Sequence, residues 1–326
     1  MATHASAQVL TFDDLKGWDA DDHLAALSVF RQTCAKMTEP EWTSLCRLAA
    51  DAGRSQASAR QFFELLFRPV QIGTDPALFT GYYEPELQGS LTRTPRFAYP
   101  LYKKPPELTE GQTYHSRGAI EDGILRGRGL ELVWLDDPVE VYFLQVQGSG
   151  RVRLPDGTVM RVAYAGKNGQ PYRSIGKELV RRGTHTLADV SAQEIKSWVR
   201  RNPAAGRELL NSNPSYVFFR SLKDFPADLG PIGAMGRPIS TLRSIAVDPE
   251  FTPLGAPVWI EKDGSTPLNR LFIAQDTGGA IKGPQRADIF YGTGEMAGDA
   301  AGTVKDSGRM VVLLPIDRAY AMLSDD

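Results

Sequence analysis

No run in this chain approaches the roughly 18 consecutive apolar residues that a membrane-spanning helix needs, so the sequence predicts no transmembrane segment. The N-terminus, MATHASAQVLTF, lacks a basic start and an apolar core of the kind an export signal carries. That leaves a cytoplasmic protein or the mature part of an exported one as expectations. Histidine is limited to His4, His23, His115 and His185, which are scattered, and no Cys-His cluster exists; this argues against a zinc site or a Cys-His dyad. Charge of one sign is also missing. With 37 basic and 39 acidic residues the formal net charge is only -2, which excludes nucleic acid as the main partner. No repeat of fixed period and no low-complexity tract occurs.

Cysteine is limited to two residues, Cys34 and Cys46. They lie in two helix-like stretches, DDHLAALSVFRQTCAKM and EPEWTSLCRLAADA, with a break at Thr38–Pro40 about midway between them. A helical hairpin there brings the sulfurs together, as in a protein of an oxidising compartment. Two small buried hydrophobes fit the sequence equally well.

What is present is a globular composition, 42% hydrophobic and 23% charged over 326 residues, enough for one large domain or two ordinary ones. The first seventy residues have helical periodicity and end in SARQFFELLF. From ALFTGYYEPEL to about Asp156, short strand patterns alternate with turn signals, including LELVWLDD, VEVYFLQVQGSGRVRL and the turn LPDG. Helix returns from SIGKELVRRG through VRRNPAAGRELLN, broken at Pro203, and SYVFFR is again strand. The Pro- and Gly-rich DFPADLGPIGAMGRP marks a boundary before a final β block of APVWIE, RLFIAQD, ADIFYG and RMVVLLP. RFAYPLYKKPPEL near residue 100 marks a second boundary, so the chain is expected to leave one domain and come back.

The stretch FIAQDTGGAIKGPQRADIFYG carries the chemistry-bearing candidates. Asp276-Thr277-Gly278 has the form of an aspartic-protease motif, which requires a second copy facing it so that two carboxylates share a proton. Asp306-Ser307-Gly308 is only 30 residues away and follows the polar GTVK, too little chain for a facing lobe. YGTGEMA matches a dinucleotide-binding glycine pattern, but GDAAGTVKDSG behind it reads as turn where a helix is required. Ser149 in QGSGR lacks the spacing of a nucleophile elbow. What remains is a carboxylate site: Asp276 and Asp288 flank TGGAIKGPQRA, and Asp288 opens the apolar strand DIFY. Apolar surroundings favour the protonated form and suit a general acid. Capping of tight turns accounts for both aspartates equally simply.

Longer segments decide more. SIAVDPEFTPLGAPVWIE, AQDTGGAIKG and RADIFYGTG together resemble the three-aspartate domain of the lytic murein transglycosylase A family. FTGYYEPEL, LQVQGSGRVRLPDG, YAGKNGQPYRSIGKELV and NPSYVFFR resemble that family's signatures in the same order, from about Phe79 to Leu314. The resemblance implies a mainly β fold with N-terminal helices: a discontinuous double-psi β-barrel domain, here residues 1–97 and 228–326, and an inserted smaller β-rich domain, 98–227, with a substrate groove between them. It implies cleavage of the MurNAc-β-1,4-GlcNAc bond of peptidoglycan without water, giving 1,6-anhydro-MurNAc ends, with no cofactor and no metal.

By the same resemblance Asp288 is the catalytic acid and base, with Asp276 and Asp248 as supports; a nearby carboxylate would raise the Asp288 pKa, and Lys282 would lower it if it pointed there. Amide, hydroxyl and aromatic groups suited to sugars place Gln147, Gly148, Ser149, Gly150, Lys167, Asn168, Tyr172, Arg173 and Ser174 in the groove, joined by Tyr82, Tyr83 and Glu84 from the barrel side. Each also has a local explanation, as turn glycine, core tyrosine or surface charge. The implied partner is the peptidoglycan glycan strand, with other cell-wall enzymes also in view. The implied location is the periplasm, attached to the outer membrane by a lipid on an N-terminal cysteine, which this sequence does not show. A hydrolase pairing Asp288 with Glu84 or Asp276, and a non-catalytic glycan-binding module, are the alternatives.

Overall fold

The computed structural model describes residues 6–109, 111–187 and 189–324, so His4 and the first five residues of the N-terminal stretch lie outside the described residues. The chain forms two compact units. The first comprises Met1–Tyr82, Ile232–Gly292 and Val304–Asp326; the second comprises Tyr83–Pro231 and Thr293–Thr303.

The first unit opens with three helices. His23–Thr33 is capped by the Asp22 carboxylate on the Ala25 N–H, Pro40–Ala52 starts with proline at its first turn, and Gln56–Leu66 is capped by Ser55 on the Ser58 N–H. Cys34 and Cys46 are joined as a disulfide across the first two, with 5.5 Å between their Cα atoms, which resolves the two expectations in favour of the cross-link. Phe30, Trp42, Phe62 and Phe63 of these helices share one buried core with Trp18, Phe67 and the fully buried Trp259 of strand Pro257–Lys262, and the Trp18 and Trp259 ring centroids are 5.2 Å apart. The nine strands of this unit's sheet run in the order 7–9, 67–72, 308–315, 257–262, 268–277, 244–247, 286–293, 78–84 and 305–306. The registered pairings are antiparallel except one: Ser244–Val247 runs parallel to Leu268–Thr277.

The second unit holds a six-stranded sheet, in the order 99–102, 131–135, 86–90, 149–153, 159–167 and 217–222. Beside that sheet it carries six helices among its described residues. Its limits differ from the expected 98–227. Strand Glu86–Ser90 belongs to it because it pairs with both Ser149–Arg153 and Glu131–Leu135. Helix Glu295–Gly302 belongs to it because Gly298 lies against Tyr83, where an added Cβ would come within 2.7 Å of the ring.

Two local expectations fail. VEVYFLQVQ, read as strand, is helix Pro138–Gln147, with the Asp137 carboxylate on the Val139 N–H at its start and Gly148 in the left-handed region (φ 80°) at its end. Its residues are buried nearly all round, so no amphipathic stripe shows in the sequence. GDAAGTVKDSG, read as turn, begins in helix: its first five residues complete Glu295–Gly302. The glycine pattern still builds no nucleotide fold, because the strand before it, Arg286–Thr293, pairs antiparallel with Ser244–Val247.

Candidate active site

The site is built on alternation. Along the central strands of the first unit, Ile245, Val247, Ala287 and Ile289 enter the main core, whereas Ala246 and Phe290 join Tyr82, Ile239 and Ile281 in a separate small cluster. Asp288 is two residues before Phe290 and therefore shares its face. Ala246 is in register with Asp288 on one side and with Asp276 on the other. The two aspartates thus face the same side, two strand spacings or about 10 Å apart at their Cα atoms, with Ala246 on the strand between them. A register shift produces this. Ile245 pairs with Ala274 but Ala246 pairs with Asp276, so Gln275 is the extra residue of a bulge. Without the bulge Gln275 would take the place of Asp276 opposite Ala246.

The three aspartates that the resemblance singles out end up in three environments. Asp248 follows the Ala246 strand; it accepts the Lys282 ammonium at 3.0 Å and the Gly283 N–H at 3.0 Å, and so clamps the loop joining the Asp276 and Asp288 strands. Asp276 uses both oxygens: Oδ1 accepts the N–H groups of Ala234 and Thr277, each at 2.9 Å, and Oδ2 accepts the Tyr82 hydroxyl at 3.0 Å. Tyr82 passes Phe290 with its ring centroid 5.3 Å away. Among the described residues Asp288 accepts a single hydrogen bond, from the Thr80 hydroxyl to Oδ1 at 2.5 Å. Neither Thr80 nor Arg286, which donates to it at 2.8 Å, was singled out from the sequence as part of the site.

Protonation follows these surroundings. Asp276 and Asp288 keep some accessible surface as residues, yet their carboxyl groups are densely surrounded. Burial pushes the Asp276 carboxyl up to about 6, against its three hydrogen bonds, and the Asp288 charge adds to the rise. Burial likewise raises Asp288, opposed by the Thr80 hydroxyl and the Arg286 guanidinium. The interaction between the two carboxylates was expected on Asp288; it acts on Asp276. Burial pushes Asp248 up as well, but the Gly283 N–H, Lys282 and the Glu250 N–H outweigh it and hold the carboxyl below its ordinary range. Lys282 therefore pairs with Asp248. Burial drives the Tyr82 hydroxyl far above its ordinary range, with both aspartates adding to it.

The expected groove residues of the second unit fall into two groups. Lys167, Tyr172 and Arg173 expose their side chains. Others hold the local backbone. Gln147 accepts the Tyr83 N–H at 3.0 Å, Gly148 closes its helix, Ser149 and Gly150 are buried at the head of a strand, and Ser174 caps helix Ile175–Arg181. Asn168 is fully buried: its amide donates to the carbonyls of His115 and Pro214 and accepts the Tyr216 N–H, so it shapes the loop from within and meets no solvent. Tyr83 and Glu84 belong to this unit and only Tyr82 to the first. Glu84 is 1% exposed and closed off by Arg151 at 2.8 Å, Arg161 at 2.7 Å and the Thr293 hydroxyl at 3.0 Å. Asp306 of the second Asp-Ser-Gly is the ion-pair partner of Lys262 at 2.6 Å. Among the described residues no three His, Cys, Asp or Glu side chains converge as a metal site would require.

Comparison with known proteins agrees with this architecture. Residues 78–220 match the MltA specific insert domain, and residues 243–314 match the 3D domain. Membrane-bound lytic murein transglycosylase A of Escherichia coli (strain K12) is 39% identical over 246 residues, 72% of this chain and 65% of that protein; its Vibrio cholerae counterpart is 38% identical over 244 residues. The chain thus spans slightly less than two thirds of the length of these curated relatives. Among solved structures, a membrane-bound lytic murein transglycosylase from Agrobacterium tumefaciens superposes with a TM-score of 0.88 at 34% identity, covering 97% of this chain and 99% of that one. Escherichia coli MltA with bound chitohexaose superposes with a TM-score of 0.76 at 31% identity, covering 97% and 95%. The chain belongs to the membrane-bound lytic murein transglycosylase A family.

Proposed function

We propose that this protein is a lytic transglycosylase that cleaves the MurNAc-β-1,4-GlcNAc bond of peptidoglycan and leaves 1,6-anhydro-MurNAc ends, with Asp288 as acid and then base. One observation carries the reading: among Asp248, Asp276, Asp288 and Glu84, Asp288 alone keeps an oxygen, Oδ2, to which no described residue donates. Hydrolysis requires a second carboxylate, as nucleophile or to activate water. Asp276 has both oxygens engaged and Glu84 is enclosed by two guanidinium groups. When the nucleophile is the C6 hydroxyl of the muramoyl residue itself, proximity replaces the second group. Protonated Asp288 gives its proton to the leaving glycosidic oxygen, the C6 oxygen bonds to C1, and the Asp288 carboxylate takes the C6 hydroxyl proton.

In this reading Asp276 and Asp248 hold the loops around Asp288. The exposed Lys167, Tyr172 and Arg173 are proposed as sugar contacts, supported from beneath by Asn168, Gln147 and Ser174. The Cys34–Cys46 disulfide fits an oxidising compartment, which supports a periplasmic location. The relatives are named membrane-bound, and no helix among the described residues is long and apolar enough to cross a membrane, so attachment to the outer membrane through a lipid is the proposed mode. The test is mass spectrometry of muropeptides released from purified peptidoglycan by the wild type and by Asp288→Asn. Products one water lighter than the reducing-end forms, absent with the variant, are expected. Reducing-end products would replace this reading with a hydrolase.

A further inference from the structure

We propose that Thr80 and Arg286 are positioning residues that commit Oδ1 of Asp288 to accepting a hydrogen bond and so make Oδ2 the one oxygen that carries the proton in both halves of the reaction. This rests on the proposed role of Asp288. The guanidinium of Arg286 has donors only. It is fixed on the carbonyls of Leu78 at 3.1 Å and Ala287 at 2.7 Å, and it donates to the Thr80 hydroxyl at 2.8 Å. Thr80 must therefore be the acceptor in that contact, which directs its single proton to Asp288 Oδ1 at 2.5 Å. A carboxyl whose Oδ1 accepts is protonated on Oδ2. The neutral acid thus presents its O–H from Oδ2, and after proton transfer the same atom is the free base. Strand periodicity holds the group together: Arg286 and Asp288 are two apart on one strand, and Thr80 is on the neighbouring strand Leu78–Glu84.

Among the described residues Arg286 has no ion-pair partner of its own, and its charge acts on Asp288. The remaining groups that bear on Asp288 are Asp276 and Tyr82 on the same face and Tyr291 on its own strand; Asp248 is neutralised by Lys282. Burial disfavours the carboxylate, whereas Thr80 and Arg286 are the groups that stabilise it. Without them the carboxyl would be a poorer donor and its proton would be shared between two oxygens.

The experiment is the pH–rate profile of anhydromuropeptide release for Thr80→Val, Thr80→Ser and Arg286→Gln, with a thermal melt of each protein as the folding control. General-acid activity falls as pH rises through the acid's pKa. Thr80→Val is expected to lower kcat at the optimum by about tenfold or more and to move the alkaline limb up by about one to two pH units. Thr80→Ser should restore both, and Arg286→Gln should move the limb in the same direction with KM little changed. An alkaline limb that stays in place in both Thr80→Val and Arg286→Gln overturns the proposal. If Thr80→Val does not fold, the limb of Arg286→Gln decides alone. Loss of the underlying reading looks different: the wild type would release reducing ends, or Asp288→Asn would remain active.

Discussion

Replacing Asp276 by asparagine should make the protein more stable, and only above a definite pH. The carboxyl ordinarily ionises near 3.8 and in the fold near 6, chiefly because of burial. Between those values the folded state holds a proton that the unfolded chain has released, so stability falls as pH rises through this window. Below the window both states are protonated and the effect vanishes; above it the penalty is complete. Two pH units at 1.36 kcal/mol each set it at about 3 kcal/mol. Asparagine has nearly the same shape. Its oxygen can accept the Ala234 and Thr277 amides as Asp276 Oδ1 does, and its NH2 can donate to the Tyr82 oxygen once that hydroxyl turns away. Denaturant melts of both proteins from pH 4 to pH 8 should show curves that coincide at the acid end and separate to about 3 kcal/mol by pH 7. For a unit of this size that is roughly 8 °C in melting temperature. A gap that does not change with pH would refute the raised pKa. Under the proposed mechanism, in which Asp276 does not act on the bond, Asp276→Asn should also keep releasing anhydro products.

Two further outcomes concern the framework. Replacing Cys34 and Cys46 with serine frees a short loop, 12 residues in sequence separation, and should lower stability by about 3 kcal/mol in a denaturant melt; a loss under 1 kcal/mol would place the strength of the hairpin in its aromatic packing. Glu84→Gln leaves the Arg151 and Arg161 guanidinium groups together without their carboxylate, and should cost about 3–5 kcal/mol by the same measurement; an unchanged midpoint would contradict the enclosed ion pairs.

Much of this fold is visible in the sequence, and the exceptions share a cause. The N-terminal helices show because each has one buried face and an end signal such as Asp22, Pro40 or Ser55. The final β block shows because its strands are apolar runs between turn residues. Helix Pro138–Gln147 was hidden because burial on nearly every side removes the helical stripe and leaves β-branched and aromatic residues that imitate a strand. Its Asp137-Pro138 start and Gly148 end were the better guide. The second unit begins at Tyr83, well before the expected residue 98, because strand Glu86–Ser90 is assigned by pairing partners some 45 and 65 residues away, which no local pattern records. Within the site, Asp276 and Asp288 were visible as carboxylates beside apolar runs. That they flank one alanine was not, since it depends on a parallel strand inserted between them and a bulge at Gln275. Thr80 carried no signal at all, being 208 residues from the carboxylate it holds.

The distribution of hydrogen-bond donors among the three aspartates bears directly on the proposed chemistry. A carboxylate that must both give and take a proton cannot be strongly stabilised in either state. Asp248, with an ammonium and two backbone amides, is held as an anion; Asp276, with donors on both oxygens, cannot reach a substrate atom without breaking them. Asp288 has one donor and, through it, one cation, set against burial that favours the acid. Opposed influences of this kind are how a carboxyl is kept near the point where either protonation state is accessible. A hydrolase would need a second carboxylate free to act at the bond, ionised as nucleophile or as base on water. A reaction whose nucleophile arrives tethered to the substrate needs only the one poised carboxyl, which leaves Asp248 and Asp276 free to fix the backbone that presents Asp288.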